Sequence, residues 1–333
     1  MKALVYTGPE NLVFRNADNP TRGVGEVIVK VESVGICGSD MHAFLGHDER
    51  RFAPLILGHE VAGVVVDGPN IGHRVTLNPL VTCGSCAACT SGHENLCPDR
   101  QIISMPPREG GFAQYVAIPE ANLVRVPDGF PLEKASLVEP VACGWHAVRL
   151  AQSALDKDMP DVRALVIGGG AIGVGAGLSM MAFGVKDVTI LEPNEIRHQY
   201  LSQTTQMHVV NLKDLINGAE FDLVIDAVGI IATRKMASKI ARPGAVIMHI
   251  GLGAAEGGLD IRRMTLQEIT FIGTYTYTAE DFRVTAHAIF DGRLGALDWI
   301  EKRPLSSGQR AFEEIHAGKM AAPKTVLIPE HRE

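Results

Sequence analysis

Four closely spaced cysteines restrict the local fold of this chain more than any other feature of its sequence. They follow the pattern C-x2-C-x2-C-x7-C, and they are Cys83, Cys86, Cys89 and Cys97. Zinc is held by four thiolates at about 2.3 Å, and a tight loop of small residues supplies them most simply. Disulfides would need an oxidising compartment, and cysteines three residues apart rarely reach bridging geometry without strain. We therefore predict a closed zinc site with a structural role.

The length and charge of the chain set its class. A chain of 333 residues exceeds what one small hydrophobic core supports, which predicts two domains. The formal net charge of −7, without a run of Lys or Arg, argues against a nucleic-acid partner. The opening residues MKALVYTGPENL lack the charged and apolar regions of a signal segment. We expect a cytoplasmic protein, in a compartment where thiols stay reduced.

The uncharged stretch from Ala164 to Gly184 has the length of a membrane span. It is rich in glycine, however, and a β-branched run from Val162 to Ile167 leads into it. This composition favours a buried strand, a glycine-rich turn and a buried helix over Val174 to Phe183. We expect no membrane partner.

The turn after this strand satisfies the dinucleotide-binding pattern G-x-G-x-x-G. Its glycines are Gly168, Gly170 and Gly173, with Ala171 and Ile172 between the last two. The first glycine permits the tight turn, the second lets the backbone approach a pyrophosphate, and the third lets the helix pack on the sheet. Amide groups at the start of the helix then face the anion. Alone the motif is weak, because glycine-rich turns are common.

The segments that follow strengthen the dinucleotide interpretation. A second apolar strand, Asp187 to Leu191, ends in Glu192, nineteen residues after the last glycine of the motif. An acidic residue there binds the adenosine ribose and repels a 2′-phosphate, which favours NAD over NADP, although the nearby Arg197 is able to pair with a phosphate. Further strands are predicted over Phe221 to Val228 and Ala245 to Ile250. Strands that alternate with helices predict a parallel, doubly wound sheet.

A third group of candidate residues is scattered through the first half of the chain. An isolated cysteine in an apolar segment is usually an inert core thiol, and a His-Glu pair occurs by chance. A carboxylate between apolar residues is harder to dismiss, because such groups are seldom buried unless they are paired or bound to metal. The candidates are Cys37, His59, Glu60 and Glu139.

Taken together, these motifs resemble the medium-chain zinc alcohol dehydrogenases. The segment from Gly58 to Val64 (GHEVAGV) resembles the zinc signature of that family, and the segment from Cys37 to Asp40, the four cysteines and the glycine motif follow in the family's order. The resemblance covers essentially the whole chain. Glu139, in Val-Glu-Pro, resembles the branch of sorbitol and related polyol dehydrogenases, and Cys143 is interpreted as a small core residue.

The resemblance implies an α/β protein of two domains. Residues 1–142 would form a GroES-like β-barrel catalytic domain that carries the zinc lobe at 83–97. Residues 143–276 would form a Rossmann NAD-binding domain with a doubly wound parallel sheet. Residues 277–333 would return to complete the catalytic domain, and the active site would lie in the cleft between the domains. The family also implies a homo-oligomer, either a tetramer or a dimer.

The resemblance implies two zinc ions, one catalytic and one structural, and NAD as cofactors. Cys37 and His59 would hold the catalytic zinc, with Glu60 or Glu139 as a third ligand or as the holder of a zinc-bound water; the sequence leaves both assignments open. A zinc ion lowers the pKa of bound water from 15.7 to about 7, and a bound alcohol should respond similarly.

The remaining roles are also implied by the resemblance. Ser39 would take the proton from the alcohol, His42 would pass it outward because histidine titrates near neutral pH, and Asp40 would orient the neighbouring groups. Many polyol dehydrogenases carry an arginine where this chain has Thr276, so one contact to a polyol hydroxyl is not expected here. The residues expected to line the nicotinamide are Gly251, Leu252, Thr274 and Tyr275.

We therefore expect an oxidoreductase that transfers a hydride between a small-molecule alcohol, of polyol or sugar-alcohol type, and NAD. One alternative is a threonine-dehydrogenase-like enzyme that oxidises a hydroxyl group of an amino acid. Another is a non-catalytic NAD-binding protein on the same fold. The joint presence of Cys37, Ser39, His59 and Glu139 argues against that last alternative, since a protein without activity need not keep all four.

Overall fold

The computed structural model describes residues 1–215 and 218–331. Its strands in chain order are β1 (Lys2–Gly8), β2 (Asn11–Asn16), β3 (Glu26–Gly35), β4 (Leu55–Ile56), β5 (Glu60–Asp67), β6 (Arg74–Leu77), β7 (Leu80–Val81), β8 (Gln101–Ile102), β9 (Tyr115–Pro119), β10 (Leu123–Arg125), β11 (Arg163–Ile167), β12 (Asp187–Leu191), β13 (His208–Val210), β14 (Phe221–Asp226), β15 (Ala241–His249), β16 (Thr270–Gly273), β17 (Ile300–Pro304) and β18 (Lys324–Ile328). Its α-helices are α1 (Gly38–Phe44), α2 (Ala87–Thr90), α3 (Leu132–Ala135), α4 (Val138–Ala154), α5 (Ala171–Ala182), α6 (Glu195–Thr204), α7 (Ile231–Ile240), α8 (Ile261–Leu266), α9 (Ala279–Phe290) and α10 (Gly308–His316).

Both ends of the chain contribute to one largely antiparallel sheet. Its strand order is β10-β6-β5-β3-β18-β17, and β9 also pairs with β3. Alternate residues of β3, including Val27, Val29 and Val31, are completely buried in the core of this unit. Strand β18 pairs with β3 at Val34 and Gly35. The C-terminal strand therefore lies beside the residues that lead into Cys37.

A cluster of aromatic rings fixes the short helix α1 on this unit. The ring centroid of Phe44, the last residue of α1, lies 5.1 Å from that of Phe312 in α10. Phe112 meets Phe312 edge to face at 5.9 Å, and all three side chains are buried. The start of α1, with its predicted catalytic residues, is thereby held at a fixed place above the sheet.

The second unit is a six-stranded parallel sheet in the order β13-β12-β11-β14-β15-β16. Consecutive residues of its strands pack into different cores: Val166 and Ile225 face α4, α5 and α9, whereas Leu165 and Val224 face the side of α7. Burial on both faces explains why these strands are almost continuously apolar. The predicted doubly wound parallel sheet is confirmed.

The largest differences between the predicted element boundaries in this unit and the structure are at the starts of α5 and β15. Helix α5 begins at Ala171, inside the glycine motif, with Gly170 as its N-cap. The prediction placed its start at Val174, because glycine disfavours helix interiors. Strand β15 begins at Ala241, which pairs with Phe221 before a register shift; the predicted strand began only at Ala245.

Helix α4 runs across the predicted domain boundary between residues 142 and 143. It packs with α5 and with α9, whose Phe282 and Ile289 are buried in the same apolar cluster. Strands β17 and β18 then rejoin the first sheet. The exact domain boundaries stay a prediction. Within residues 1–215 and 218–331, none of the helices combines the length and the apolar character of a membrane span.

Candidate active site

Three potential metal ligands from two paired strands meet at one point. Cys37 follows β3, and Glu60 opens β5 directly after His59. The strands are in register at Gly35 and Glu60, which brings these segments side by side. One ligand atom each of Cys37, His59 and Glu60 lies within 4.8 Å of the other two. Thiolate, imidazole and carboxylate are all zinc donors, and three protein ligands leave a position open for substrate.

The carboxylate of Glu60 is completely buried, and only one of its two oxygen atoms has a hydrogen-bond partner among the described residues. Its Oε1 accepts a hydrogen bond from Nζ of Lys324 at 2.6 Å, whereas its Oε2 is without a hydrogen-bond partner among the described residues. A Cβ atom on Gly35 would overlap with this oxygen, so the glycine makes room for it. A buried oxygen without a partner is costly unless an ion satisfies it. The donor set and this oxygen together fit a zinc ion.

His59 is held by two polar neighbours at its Nδ1 atom. Oδ1 of Asp40 lies 3.5 Å away and Oγ of Ser104 lies 3.3 Å away. Burial lowers the pKa of His59, but Asp40 and Cys37 outweigh burial and raise that pKa well above its usual value. The surroundings therefore favour a positive charge, which a metal ion can supply in place of the proton. Nε2 is the ring nitrogen left to bind it.

Asp40 acts on the backbone as well as on His59. Its carboxylate is fully buried and accepts hydrogen bonds from the N–H groups of Cys37, at 3.0 Å, and Gly58, at 3.3 Å. Burial raises the pKa of Asp40, but His59 and Arg51 outweigh it and hold that pKa below its usual value. The ionised carboxylate therefore joins the two segments that carry the ligands.

Glu139 lies outside the three-ligand group. It stands in the first turn of α4, and its Oε1 accepts a hydrogen bond from the hydroxyl of Tyr277 at 2.7 Å. Burial raises the pKa of Glu139, and the nearby Glu60 adds to this shift. The structure thus separates the two glutamates that the sequence left equivalent: Glu60 joins Cys37 and His59, and Glu139 is bound by the second unit.

A cavity of about 330 Å³ joins the ligand group to the edge of the parallel sheet. Of the predicted metal-binding and catalytic residues, its wall includes Cys37, Ser39, His42, His59 and Glu139. Of the predicted cofactor-binding residues, it includes Ile172, Gly251, Leu252, Thr274 and Tyr275. Cys143, predicted to be a small core residue, packs against the apolar core of the second unit and is also partly exposed to this cavity.

The glycine motif has the geometry of a phosphate-binding turn. Gly168 has φ +102°, in the region that favours glycine. A Cβ on Gly173 would overlap with the carbonyl of Gly168, so the helix packs on the turn only with glycine there. The Cβ position of Gly170 is open, which leaves space for a ligand beside the backbone.

Glu192 is fixed at the edge of the sheet, next to this turn. Its carboxylate accepts hydrogen bonds from the N–H groups of Gly169, at 3.0 Å, and Asn194, at 2.7 Å. Nη1 of Arg197 lies 3.7 Å from Oε2 of Glu192. A second cavity of about 280 Å³ runs past Arg197 and meets the first at Cys37 and at three further shared residues, Gly38, Ile172 and Ala227. Its predicted cofactor-binding residues are Gly170, Ala171, Ile172, Gly173 and Arg197.

The four lobe cysteines also converge, with their sulfur atoms within 4.8 Å of one another. The Sγ atom of Cys83 lies 3.9 Å from that of Cys89 and 3.6 Å from that of Cys97. Four ligands placed tetrahedrally at 2.3 Å from a zinc ion lie about 3.8 Å apart. The N–H groups of Ser85 and Cys86 lower the pKa of Cys83 to about 6, whereas burial and the thiol of Cys86 raise the pKa of Cys89 to about 11. All four thiols are free of disulfides, and they fit a closed zinc site.

Comparisons with known proteins match this arrangement. The family model for the alcohol dehydrogenase GroES-like domain matches residues 23–128, and the model for the zinc-binding dehydrogenase matches residues 171–291. The L-galactonate-5-dehydrogenase of Escherichia coli K12 is 31% identical over 311 residues, which span 89% of each chain. The chain belongs to the zinc-dependent alcohol dehydrogenase family.

Two further relatives extend this result. The sorbitol dehydrogenase of Bacillus subtilis 168 is 30% identical over 296 residues, covering 83% of this dehydrogenase and 82% of the relative. The structure of acetophenone reductase from Geotrichum candidum in complex with NAD superimposes with a TM-score of 0.87 at 27% identity, over 98% of this chain and 96% of that chain. The predicted family, fold class and enzyme class are confirmed, and zinc and a nicotinamide dinucleotide are its cofactors.

Several residues of this dehydrogenase that support the site were not predicted from the sequence. Lys324 and Tyr277 contact the two glutamates. Arg51 is buried and donates hydrogen bonds to the carbonyls of Ser39 and Ser104, both at 2.9 Å. The available signal was that Lys324 opens a mostly apolar strand, where a lysine is seldom buried without a partner.

Proposed function

We propose that this dehydrogenase transfers a hydride between NAD and an alcohol of polyol or sugar-alcohol type. One observation carries the proposal: Cys37 and His59 of the three-ligand group line the same cavity as the predicted nicotinamide-lining residues Gly251 and Thr274. A carbon atom bound beside the metal ligands can then lie against the nicotinamide, and such positioning is a large part of catalysis.

Cys37, His59 and Glu60 hold the catalytic zinc in this proposal. When bound there, the metal makes the substrate hydroxyl more acidic and so prepares it to lose hydride from its carbon. The ligand distances and the buried, half-satisfied carboxylate of Glu60 support this choice. Glu139, bound to Tyr277, faces the substrate or a water molecule in the cavity. The four lobe cysteines hold the second, structural zinc.

Ser39 and His42 form the proton path. Both line the cavity, and His42 is partly exposed, so a proton taken by the hydroxyl of Ser39 has a route to solvent. Arg51 holds the backbone of Ser39 in place through the carbonyl group. Asp40 is buried away from solvent, and its role is to orient His59 and the backbone of Cys37.

We assign NAD rather than NADP as the preferred cofactor. Glu192 is fixed by two backbone N–H groups beside the glycine turn, where a carboxylate binds ribose hydroxyls and repels a 2′-phosphate. Arg197 is partly buried, its Nη1 lies 3.7 Å from Oε2 of Glu192, and it lines the cavity beside Gly170. This location favours contact with the pyrophosphate rather than recognition of a 2′-phosphate.

Names of relatives support a polyhydroxy substrate over threonine, since two of them act on galactonate and sorbitol.

We also propose a homo-oligomer, dimer or tetramer, on family resemblance. A cytoplasmic location agrees with four free thiols poised for metal. The domain boundaries at 142/143 and 276/277 belong to the same proposal.

A substrate panel with metal analysis tests the proposed function. Polyols, sugar alcohols and amino acids are incubated with NAD or NADP. The formation of NADH or NADPH is followed by absorbance, and zinc is counted per chain. We expect turnover of a polyol with NAD and two zinc ions per chain. Turnover of threonine alone would support the threonine-dehydrogenase-like alternative. One zinc per chain without any turnover would support a non-catalytic NAD-binding protein.

A further inference from the structure

The four-cysteine lobe contacts a segment that lines the catalytic cavity. Asn95, in the lobe, is buried and donates Nδ2 to the carbonyl of Tyr275 at 2.8 Å. Arg100, just after the lobe, donates Nε to the hydroxyl of Tyr275 at 3.3 Å, and its guanidinium carbon lies 4.8 Å from the ring centre. Nη1 of Arg100 also donates to the carbonyl of Cys97 at 2.9 Å. Tyr275 is therefore tied to the zinc lobe at both its backbone and its side chain.

The chain on either side of Tyr275 is anchored to the parallel-sheet unit. The N–H of Thr274 donates to the carbonyl of His249 at 3.0 Å, which continues the pairing of β16 with β15. The hydroxyl of Tyr277, which is fully buried, donates to Glu139 at 2.7 Å. Both ends of the segment are thus held by the parallel-sheet unit, whereas its middle residue is held by the lobe.

Thr276 shows that this anchoring has a conformational consequence. Its φ is +48°, in the left-handed region that a β-branched residue avoids. Such a conformation persists only where the surrounding contacts over-determine it. Here the neighbours Tyr275 and Tyr277 are both held, one by the lobe and one by Glu139. Releasing Tyr275 removes one of the two constraints on a strained residue of the cavity wall.

We propose that Asn95 and Arg100 are positioning residues, through which the zinc lobe sets the conformation of Thr274 to Thr276 for the nicotinamide. The inference rests on the proposed function, since it takes this segment to contact the cofactor. The lobe metal then influences cofactor affinity as well as stability, although none of its ligands faces the reacting atoms.

The test compares Asn95→Ala, Arg100→Ala and Arg100→Lys with a control, Arg108→Ala. Arg108 is an arginine of the same region that binds Gln101 and Glu26 and does not contact Tyr275. Zinc content is measured first, and the dissociation constant of NADH is then measured by fluorescence titration. We expect two zinc ions per chain throughout. The constant should rise about 10-fold in Asn95→Ala, as expected for the loss of one hydrogen bond.

The arginine variants and kinetics separate positioning from a merely structural role. Arg100→Ala should weaken NADH binding several-fold, Arg100→Lys should restore part of it, and Arg108→Ala should bind NADH like the wild type. KM for NAD should rise with the dissociation constant while KM for the alcohol stays unchanged. If Asn95→Ala does not fold, the comparison of Arg100→Ala with Arg100→Lys decides whether the positioning role holds, because Arg100 is exposed.

Failure of the positioning role and failure of the proposed function would give different results. Wild-type NADH affinity in Asn95→Ala and Arg100→Ala, with two zinc ions bound, would overturn the positioning role. Failure of the wild-type protein to bind NADH would instead overturn the proposed function. A Cys83→Ser, Asn95→Ala double variant should lose no more NADH affinity than Cys83→Ser alone, since both changes release the same contact; additive losses would contradict the coupling.

Discussion

Nζ of Lys324 lies 2.6 Å from Oε1 of Glu60, and both side chains are almost completely buried. The ammonium group also donates to the carbonyl of Ile36 at 2.8 Å. The last strand of the chain thereby supplies a counter-charge directly behind a proposed metal ligand. Removing only one partner of such a buried pair strongly destabilises a protein.

Removing the amine of Lys324 should therefore destabilise the protein. We expect Lys324→Met to lower the free energy of unfolding of the zinc-free protein by about 3–5 kcal/mol, because Glu60 is then left buried and uncompensated. Urea unfolding measures this change. The matched double variant with Glu60→Gln should recover part of the loss, and a single variant as stable as the wild type would contradict the pairing.

Acid should weaken the contact between α9 and α4. Asp281 receives hydrogen bonds from Nη2 of Arg149, at 2.9 Å, and from Oγ1 of Thr278, at 2.8 Å, and it lies 2.7 Å from Nδ1 of His146. Burial raises the pKa of Asp281, but these neighbours outweigh burial and hold that pKa far below its usual value. The unfolded state then binds the proton more readily, so this contribution to stability is present above about pH 4 and is lost as the pH falls further.

Asp281→Asn tests this pH dependence. The variant should lose about 1–3 kcal/mol of stability at pH 7, because charged donors are left unpaired, and should lose less at pH 3. Asp298→Asn is the control, since Asp298 forms an exposed pair with Lys134 that should contribute at most about 1 kcal/mol. An Asp281→Asn variant with the full wild-type slope of stability against pH below 4 would contradict the assignment.

Cys83→Ser should lower thermal stability and reduce the zinc content from two ions to one. The lobe metal contributes folding energy through a closed set of four thiolates. The folded fraction should still turn over substrate, with weaker NADH binding. Cys143→Ser, outside both ligand groups, should keep two zinc ions. A folded Cys83→Ser protein that is fully inactive with two zinc ions bound would refute the structural assignment.

Glu192→Ala should relax the cofactor preference from NAD toward NADP. The carboxylate both binds ribose hydroxyls and repels a phosphate, so the ratio of kcat/KM for NAD to that for NADP should fall. Glu192→Gln keeps an acceptor for the N–H of Gly169 but loses the charge, and it should give an intermediate ratio. A wild-type enzyme that prefers NADP would show that Glu192 was misinterpreted.

Ser39→Ala should reduce kcat for alcohol oxidation by about 10²-fold or more, the usual contribution of a positioned proton-transfer group. The variant should keep both zinc ions and the wild-type affinity for NADH, because the hydroxyl of Ser39 binds neither zinc nor the cofactor in this proposal. The loss should appear in kcat rather than in KM. His42→Ala should show a milder loss. If Ser39→Ala keeps the wild-type kcat while Cys37→Ala is inactive, the proposed proton path is contradicted and the proposed metal site is still supported.

Local patterns made the lobe and the dinucleotide turn predictable. The spacing of Cys83 to Cys97 and of Gly168 to Gly173 directly reflects the geometry that each site requires. The alternation of apolar strands and helices predicted the parallel sheet, because helices cover both faces of such a sheet and its strands are therefore apolar throughout. The family resemblance predicted the residues of the catalytic group, and the structure brings Cys37, His59 and Glu60 together.

Long-range packing explains what was missed. The contact of Lys324 with Glu60 joins residues 264 positions apart and depends on the pairing of β18 with β3. The choice between Glu60 and Glu139 depends on the register of β3 against β5 and on where α4 begins. Neither is encoded in a short pattern, because each follows from how distant strands and helices assemble.

The placement of Glu139 has a mechanical consequence. Cys37, His59 and Glu60 are carried by the antiparallel sheet, whereas Glu139 is carried by α4, which packs on α5 and α9. A hinge rotation of one unit against the other therefore changes the separation of the two glutamates while leaving each ligand strand intact. A spectroscopic label that reports this separation would measure how far the cleft opens.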